Sequence, residues 1–126
     1  MIRFWIVVAD EGTARIFEQR HPDKDPVEVE VLQQLSLHNG RSPPRDDDPG
    51  GERFAARLCQ RLSEALRKGR FDKLYLAAAP PFLGLLRRQI SPEVESRLVG
   101  QVDKDLSQMS AGELGLYVGD RLAQPH

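Results

Sequence analysis

Residues 4–9 read FWIVVA, a continuous apolar run that is rich in aromatic and β-branched side chains. A strand with one face in water would alternate apolar with polar residues, so this run predicts a strand that is covered on both faces. We therefore expect residues 4–9 to form the central strand of a sheet.

Two further strands are predicted before residue 36. The turn residues Asp-Glu-Gly at 10–12 follow the central strand, and the alternation over 13–19 predicts its antiparallel partner in a hairpin. After a proline-bounded turn, Val27, Val29 and Val31 alternate with glutamates. That alternation predicts a half-buried third strand with one face in water, which completes a three-stranded meander.

Helical and strand patterns alternate after residue 51. Apolar side chains recur on one helical face over residues 52–68, and Gly69 ends this helix. The segments that follow are a strand at 73–79, a helix at 82–88 after two prolines, a short helix at 92–99, a strand at 101–106, and a C-terminal helix opened by a capping box at 110–113.

The element order βββαβααβα implies one α/β domain over residues 1–126. We predict a five-stranded mixed sheet in the order 3-2-1-4-5, as in ribonuclease H-like folds, with helices packed on its faces. Residues 36–51, SLHNGRSPPRDDDPGG, contain almost nothing to bury and predict a long mobile loop. Because such long loops are more often functional than incidental, Arg41 and Arg45 become candidates for contact with a partner.

Composition excludes several classes of protein. Lys and Arg number 18 against 19 Asp and Glu, which gives a net charge of -1 and no global attraction to nucleic acid or anionic membranes. The single Cys59 excludes an intrachain disulfide and any zinc site that needs two thiolates. No segment has the apolar length of a signal-peptide core or a membrane span, so we expect a cytoplasmic protein without a membrane span.

The residue types that carry chemistry do not form a recognisable site. The three histidines lack the i, i+4 spacing of ligands on one helix face, and Asp10 is explained by the turn that it opens. Pro80 and Pro81 remove two N–H donors from the strand-to-helix turn where a nucleotide phosphate would bind. Cys59 lies on the apolar flank of the long helix and is expected to be a small buried side chain. We therefore predict no catalytic residue, metal or cofactor.

The long helix carries the most informative charge pattern. Arg53, Arg57, Arg61 and Lys68 fall within about 80° of arc beside the apolar face. Like charges four residues apart destabilise a helix slightly, so this stripe favours binding to an anionic partner or to phosphate groups. The alternative is a solvated face, or pairing with carboxylates elsewhere in the fold.

Three blocks of sequence resemble a known family. They are FWIVVADEGTARIFEQ at the start, ERFAARLCQRLSEALRKGRFDKLYLAAAPPFLGLLR in the middle and VDKDLSQMSAGEL near the end. They resemble the bacterial host attachment family, the proteins required for attachment to host cells. The resemblance implies a small α/β domain akin to the central domain of archaeal and eukaryotic class I peptide-chain release factors.

The same kinship suggests a comparison of one loop. In release factors a Gly-Gly-Gln tripeptide precedes a long helix and promotes hydrolysis of peptidyl-tRNA, and here Gly50, Gly51 and Glu52 occupy a similar place. Glu52 departs from that pattern because a carboxylate has no amide donor and adds negative charge. The tripeptide is a candidate functional element, and plain loop punctuation is the alternative.

Two functional hypotheses follow. The first is a non-enzymatic binding protein of the host attachment family, which acts on attachment indirectly through a partner that meets the arginine-rich helix and the 36–51 loop. The second is a translation-associated domain that binds RNA or the ribosome through the same helix, with peptidyl-tRNA hydrolysis as a possible chemistry.

Overall fold

Five strands and four helices follow one another in residues 2–21, 24–33 and 51–123, which the computed structural model describes. In chain order they are β1 (Phe4–Ala9), β2 (Thr13–Gln19), β3 (Val27–Gln33), α1 (Glu52–Arg67), β4 (Lys73–Ala78), α2 (Pro80–Gln89), α3 (Pro92–Glu95), β5 (Leu98–Val102) and α4 (Ala111–Ala123). None of these helices has both the length and the apolar character needed to cross a membrane.

The strand order confirms the predicted sheet. The five strands form one mixed sheet in the order β3-β2-β1-β4-β5. β2 is antiparallel to both β1 and β3, whereas β4 runs parallel to β1 and β5 runs parallel to β4. β1 is central, as its unbroken apolar sequence predicted.

The central strand is covered on both faces because its side chains alternate between two cores. Trp5, Val7 and Ala9 pack with side chains of α1, α2 and α3 on one face. Ile6 and Val8 pack on the other face with side chains of α4. Residues of α1, α2 and α3 therefore line one face of the sheet, and those of α4 line the other.

β3 is a strand as predicted, but the expected burial of its valines is wrong. Val27, Val29 and Val31 are 54%, 39% and 48% exposed. Within β3 only Leu32 is buried. The pairing of β2 with β3 shifts by one residue between Ile16 and Phe17, and such a bulge reverses the faces of the side chains beyond it. The strand also lies at the edge of the sheet, where the helices cover little of it.

The segment between α2 and β5 corrects three predicted boundaries. α2 begins at Pro80 rather than at residue 82, because the first helical turn needs no N–H donors. α3 ends at Glu95 rather than at residue 99. Its start is as predicted, with the Ser91 hydroxyl accepting from the N–H of Val94 at 3.2 Å. β5 accordingly starts at Leu98, not residue 101, and pairs with β4 from there.

The predicted capping box opens α4. The N–H of Ser110 donates to the Glu113 carboxylate at 2.9 Å, and the N–H of Glu113 donates to the Ser110 hydroxyl at 3.2 Å. Leu114 and Val118 are buried against the sheet. A Cβ on Gly115 would lie 2.7 Å from Pro26, so the absent side chain lets α4 approach the turn before β3.

Candidate functional site

The start of α1 is fixed by a glycine. Gly51 has a φ of 82°, and a Cβ there would lie 2.9 Å from Glu11 and 3.0 Å from the Phe82 ring. The fold therefore requires glycine at position 51 for structural reasons, whatever its role in function. The exposed Glu52 begins the helix, and its carbonyl accepts a hydrogen bond from the Gln89 side chain at 3.1 Å. Arg41, Arg45 and Gly50, and the predicted mobile loop at 36–50, lie outside the described residues.

Two members of the predicted arginine stripe contact β3. The Arg61 guanidinium binds both carboxylate oxygens of Glu30, at 2.7 and 2.8 Å, and lies 3.8 Å from Glu64. The hydrogen bond to Glu30 raises the pKa of Arg61 above its ordinary value. Arg57 donates to the carbonyl of Gln33 at 2.6 Å. These arginines thus join α1 to the edge strand.

The other two members of the stripe lie at opposite ends of α1. Arg53 is exposed in the first turn, and Lys68 is exposed directly after the last one. Lys68 makes no ion pair with a residue that the structure describes, whereas Arg61 makes two. The four residues therefore differ in how far their charge is available to a partner.

Contacts of Arg3 group it with basic residues that helical periodicity could not group, and Lys68 directly precedes Gly69, one of the residues that Arg3 contacts. The Arg3 guanidinium donates to the carbonyl of Gly69 at 2.9 Å, and the Arg3 carbonyl accepts from the N–H of Lys73 at 3.2 Å. Arg70 lines the same surface depression as Arg3. We call Arg3, Lys68, Arg70 and Lys73, which are all exposed, the basic end.

Two acidic groups lie beside the basic end and do not balance its four cations. Glu18 lines the same depression as Arg3 and Arg70, and its carboxylate binds Arg20. The Asp72 carboxylate accepts from the backbone N–H of Arg3 at 2.8 Å. Across the described chain, no ion pair involves any of the four cations. The only sequence signal for this cluster was the excess of basic over acidic residues at 51–73, seven against three.

The polar and nucleophilic candidates serve the fold. Asp10 accepts from the N–H groups of Gly12 and Thr13, both at 2.8 Å, and so fixes the hairpin turn. Cys59 is 4% exposed and belongs to the core, as predicted. Burial raises the pKa of its thiol to about 11. Within the described ranges, no three His, Cys, Asp or Glu side chains are placed to hold a metal ion.

A solved structure shows the same fold. The chain is similar to the crystal structure of the archaeal translation termination factor aRF1, with a TM-score of 0.60 and 11% sequence identity over 96% of this chain and 35% of that chain. A structure described as an archaeal protein has a TM-score of 0.49 and 10% identity, over 91% of this chain and 32% of that one. The chain spans about a third of the length of both, and the likeness to aRF1 establishes the fold alone.

A family model identifies the sequence more closely. No curated protein matches it at a significant level. The model of the family described as "Protein required for attachment to host cells" matches residues 46–118. These 73 residues are more than half of the 126 and include α1, β4, α2, α3 and β5. The chain therefore belongs to the family of proteins required for attachment to host cells.

Proposed function

We propose that this protein is a non-enzymatic binding protein that supports attachment to host cells indirectly, by binding a partner through the basic end. The observation that carries this proposal is the cluster itself, in which Arg3, Lys68, Arg70 and Lys73 are exposed beside only two carboxylates among the described residues that the contacts bring to them, those of Asp72 and Glu18. Four cations that make no ion pair with a described residue give this end a local positive potential. Such a potential attracts anionic partners and speeds their association.

Binding fits the side-chain chemistry better than catalysis does. Cys59 is buried with its thiol pKa raised to about 11, so it is protonated at neutral pH and a poor nucleophile. Asp10 is held by two backbone N–H groups of its turn. The exposed groups of the basic end that make no ion pair with a described residue are cations, which suit recognition of carboxylates or phosphates.

An attachment assay tests the proposal. In a strain that lacks the gene, the wild-type gene should restore attachment, whereas a triple variant with Lys68→Gln, Arg70→Gln and Lys73→Gln should not. The matched control neutralises three exposed cations elsewhere, Lys24→Gln, Arg88→Gln and Lys104→Gln, and should restore attachment as the wild type does.

Two results would contradict the proposal. Full restoration by the triple variant would remove the basic end from the function, provided that its thermal unfolding matches that of the wild type. Restoration by purified protein added outside the cells would contradict an indirect role.

A second candidate function is binding to RNA or the ribosome. It is favoured by the fold that the chain shares with a translation termination factor, together with the basic end. Four phosphate contacts on single-stranded RNA should give an affinity that falls about 50-fold between 50 and 200 mM salt. Co-sedimentation with ribosomes measures this, and wild-type protein that stays in the supernatant at both salt concentrations would exclude the candidate.

Hydrolysis of peptidyl-tRNA is a finer version of this second candidate. It would depend on Gly50, Gly51 and Glu52, of which Glu52 is exposed at the start of α1. The substitution Glu52→Gln supplies the missing amide donor and should raise cleavage of peptidyl-tRNA. Absence of cleavage by both forms would remove this chemistry and leave RNA binding unaffected.

A further inference from the structure

An open groove of about 580 Å³ lies between α1 and α3. Its volume falls within the usual range of small-molecule sites, about 300–1,000 Å³. One side is formed by Ser63 and Arg67, which are four residues apart and so share a face of α1. The other side is formed by residues of and around α3, including Ser91 and Arg97.

The cations of the groove are available to a ligand. Arg67 and Arg97 come from different elements, are both exposed, and make no ion pair with any residue of the described chain. A guanidinium offers a planar set of N–H donors that matches phosphate oxygens. Two of them in one groove can neutralise most of the charge of a phosphate monoester.

Hydroxyl groups complement the two arginines. The Ser63 hydroxyl donates to the Ser91 hydroxyl at 3.2 Å, and Ser91 also accepts from the N–H of Val94 at 3.2 Å. With Ser63 as the donor in this pair, the Ser91 hydroxyl can donate a hydrogen bond to a ligand oxygen.

The remaining lining is one carboxylate, two apolar side chains and a third serine, Ser96, whose hydroxyl donates to the carbonyl of Glu93 at 2.6 Å. Glu93 lines the groove and can accept hydrogen bonds from ligand hydroxyls. Leu66 and Val94 supply apolar atoms for the body of a ligand. Two cations against one anion leave a net positive charge, and the carboxylate favours a ligand that carries hydroxyl donors beside its phosphate.

We propose that this groove binds a phosphate monoester of a hydroxyl-bearing molecule, namely a sugar phosphate or a mononucleotide. Arg67 and Arg97 bind the phosphate, Ser91 donates to it, and Glu93 accepts from the sugar hydroxyls. The proposal is independent of the proposed partner binding, because none of the four residues of the basic end lines this groove.

Calorimetric titration with adenosine 5′-monophosphate and with ribose 5-phosphate tests the proposal. At least one should bind at sub-millimolar concentration, and their comparison shows whether the base adds affinity. Adenosine, which lacks the phosphate, should bind at least about tenfold more weakly. Arg67→Gln and Arg97→Gln should each weaken binding about tenfold or more, whereas the control Arg88→Gln, at an exposed position of α2, should not.

Amide NMR spectra provide a second measurement on the same variants. Ligand-induced shifts should concentrate at residues 63–67 and 91–97, and unchanged spectra elsewhere would show that the variants fold. Failure of both phosphates to bind at about 5 mM would overturn the proposal. Equal affinity for inorganic phosphate, or affinity unchanged in both arginine variants, would overturn it as well. None of these results bears on the attachment assay, which uses different residues.

Discussion

The ion pair between Arg61 and Glu30 should stabilise the fold measurably. Its two hydrogen bonds, at 2.7 and 2.8 Å, are bidentate, and each side chain is only 25% exposed. Exposed pairs contribute about 0.2–1 kcal/mol, and charge-assisted bidentate pairs are stronger than single hydrogen bonds. We therefore expect a coupling free energy of about 1–1.5 kcal/mol.

A double-mutant cycle in urea denaturation measures that coupling. Arg61→Gln and Glu30→Gln should each lower the free energy of unfolding, and the double variant should lose less than the sum of the two. The pair between Arg87 and Glu95, whose side chains are 37% and 50% exposed, is the matched control and should give a coupling below about 0.5 kcal/mol. A coupling near zero for Arg61 and Glu30 would refute the bidentate ion pair that joins α1 to β3.

An exchange of the two residues separates stability from binding. The variant Arg61→Glu with Glu30→Arg keeps an opposite-charge pair and should recover most of the stability that either single reversal loses. It also places a negative charge on α1. If Arg61 contacts an anionic partner as well as Glu30, the exchanged variant should bind that partner more weakly although it remains folded.

Three further predictions concern the fold. Gly119→Ala, with nothing within 4 Å of the new Cβ, should stabilise α4 by about 1 kcal/mol. Gly115→Ala places its Cβ 2.7 Å from Pro26, so it should lose that gain or destabilise the protein by up to about 2 kcal/mol. Equal melting temperatures of the two variants would contradict the packing of α4 against Pro26. Cys59, with its thiol pKa at about 11, should react with a disulfide reagent at pH 8 only as fast as the protein opens, and rapid reaction of native protein would disprove its burial. The hydrogen bond from Arg15 lowers the pKa of Glu28 below 4.5, so the Glu28 carboxylate stabilises the fold above that pH and loses this effect as the pH falls through its lower folded-state pKa. The urea midpoint should therefore fall more steeply below pH 5 in the wild type than in Glu28→Gln. Parallel curves would argue against the ion pair.

Local sequence patterns were sufficient for most of the fold. β1 is an unbroken apolar run, α1 carries a regular apolar face, and Ser110 with Glu113 forms the capping box that its spacing predicted. Each of these features is a property of neighbouring residues, so the sequence alone contains it. The strand order then followed from the element order, because parallel strands need crossover connections.

The errors arose where pairing overrides a local pattern. A strict alternation of valine and glutamate predicts one buried and one wet face, but the bulge opposite Ile16 and Phe17 moves the faces of β3. Leucine has a high helix propensity, but Leu98 belongs to β5 because it pairs with Leu74 of β4. Neither the bulge in β2–β3 pairing nor the pairing of Leu98 with Leu74 can be recognised from the local sequence pattern.

The candidate site was predicted in part. The stripe on α1 was recognised from its helical spacing, but that spacing does not reveal that Arg61 would bind Glu30 across to β3. Arg3 lies 65 residues before Lys68 in the sequence and joins it only through the carbonyl of Gly69. A cluster that depends on such a long-range contact can be recognised only from the three-dimensional structure.

The placement of carboxylates explains why a chain of net charge -1 has a basic end. Glu28 and Glu30 of the edge strand bind Arg15 and Arg61, so both of these carboxylates are paired with arginines along the sheet. Beyond the last turn of α1 the four cations outnumber the described carboxylates beside them, which are Asp72, an acceptor from the N–H of Arg3, and Glu18, which lines the same depression as Arg3 and Arg70. The charges nearly cancel over the whole sequence, but cations are in excess at the basic end. A partner within the Debye length, about 8–10 Å, interacts with this local excess rather than with the net charge. Binding that depends on this end should therefore respond to substitutions there and to added salt, and should be indifferent to changes that alter only the net charge.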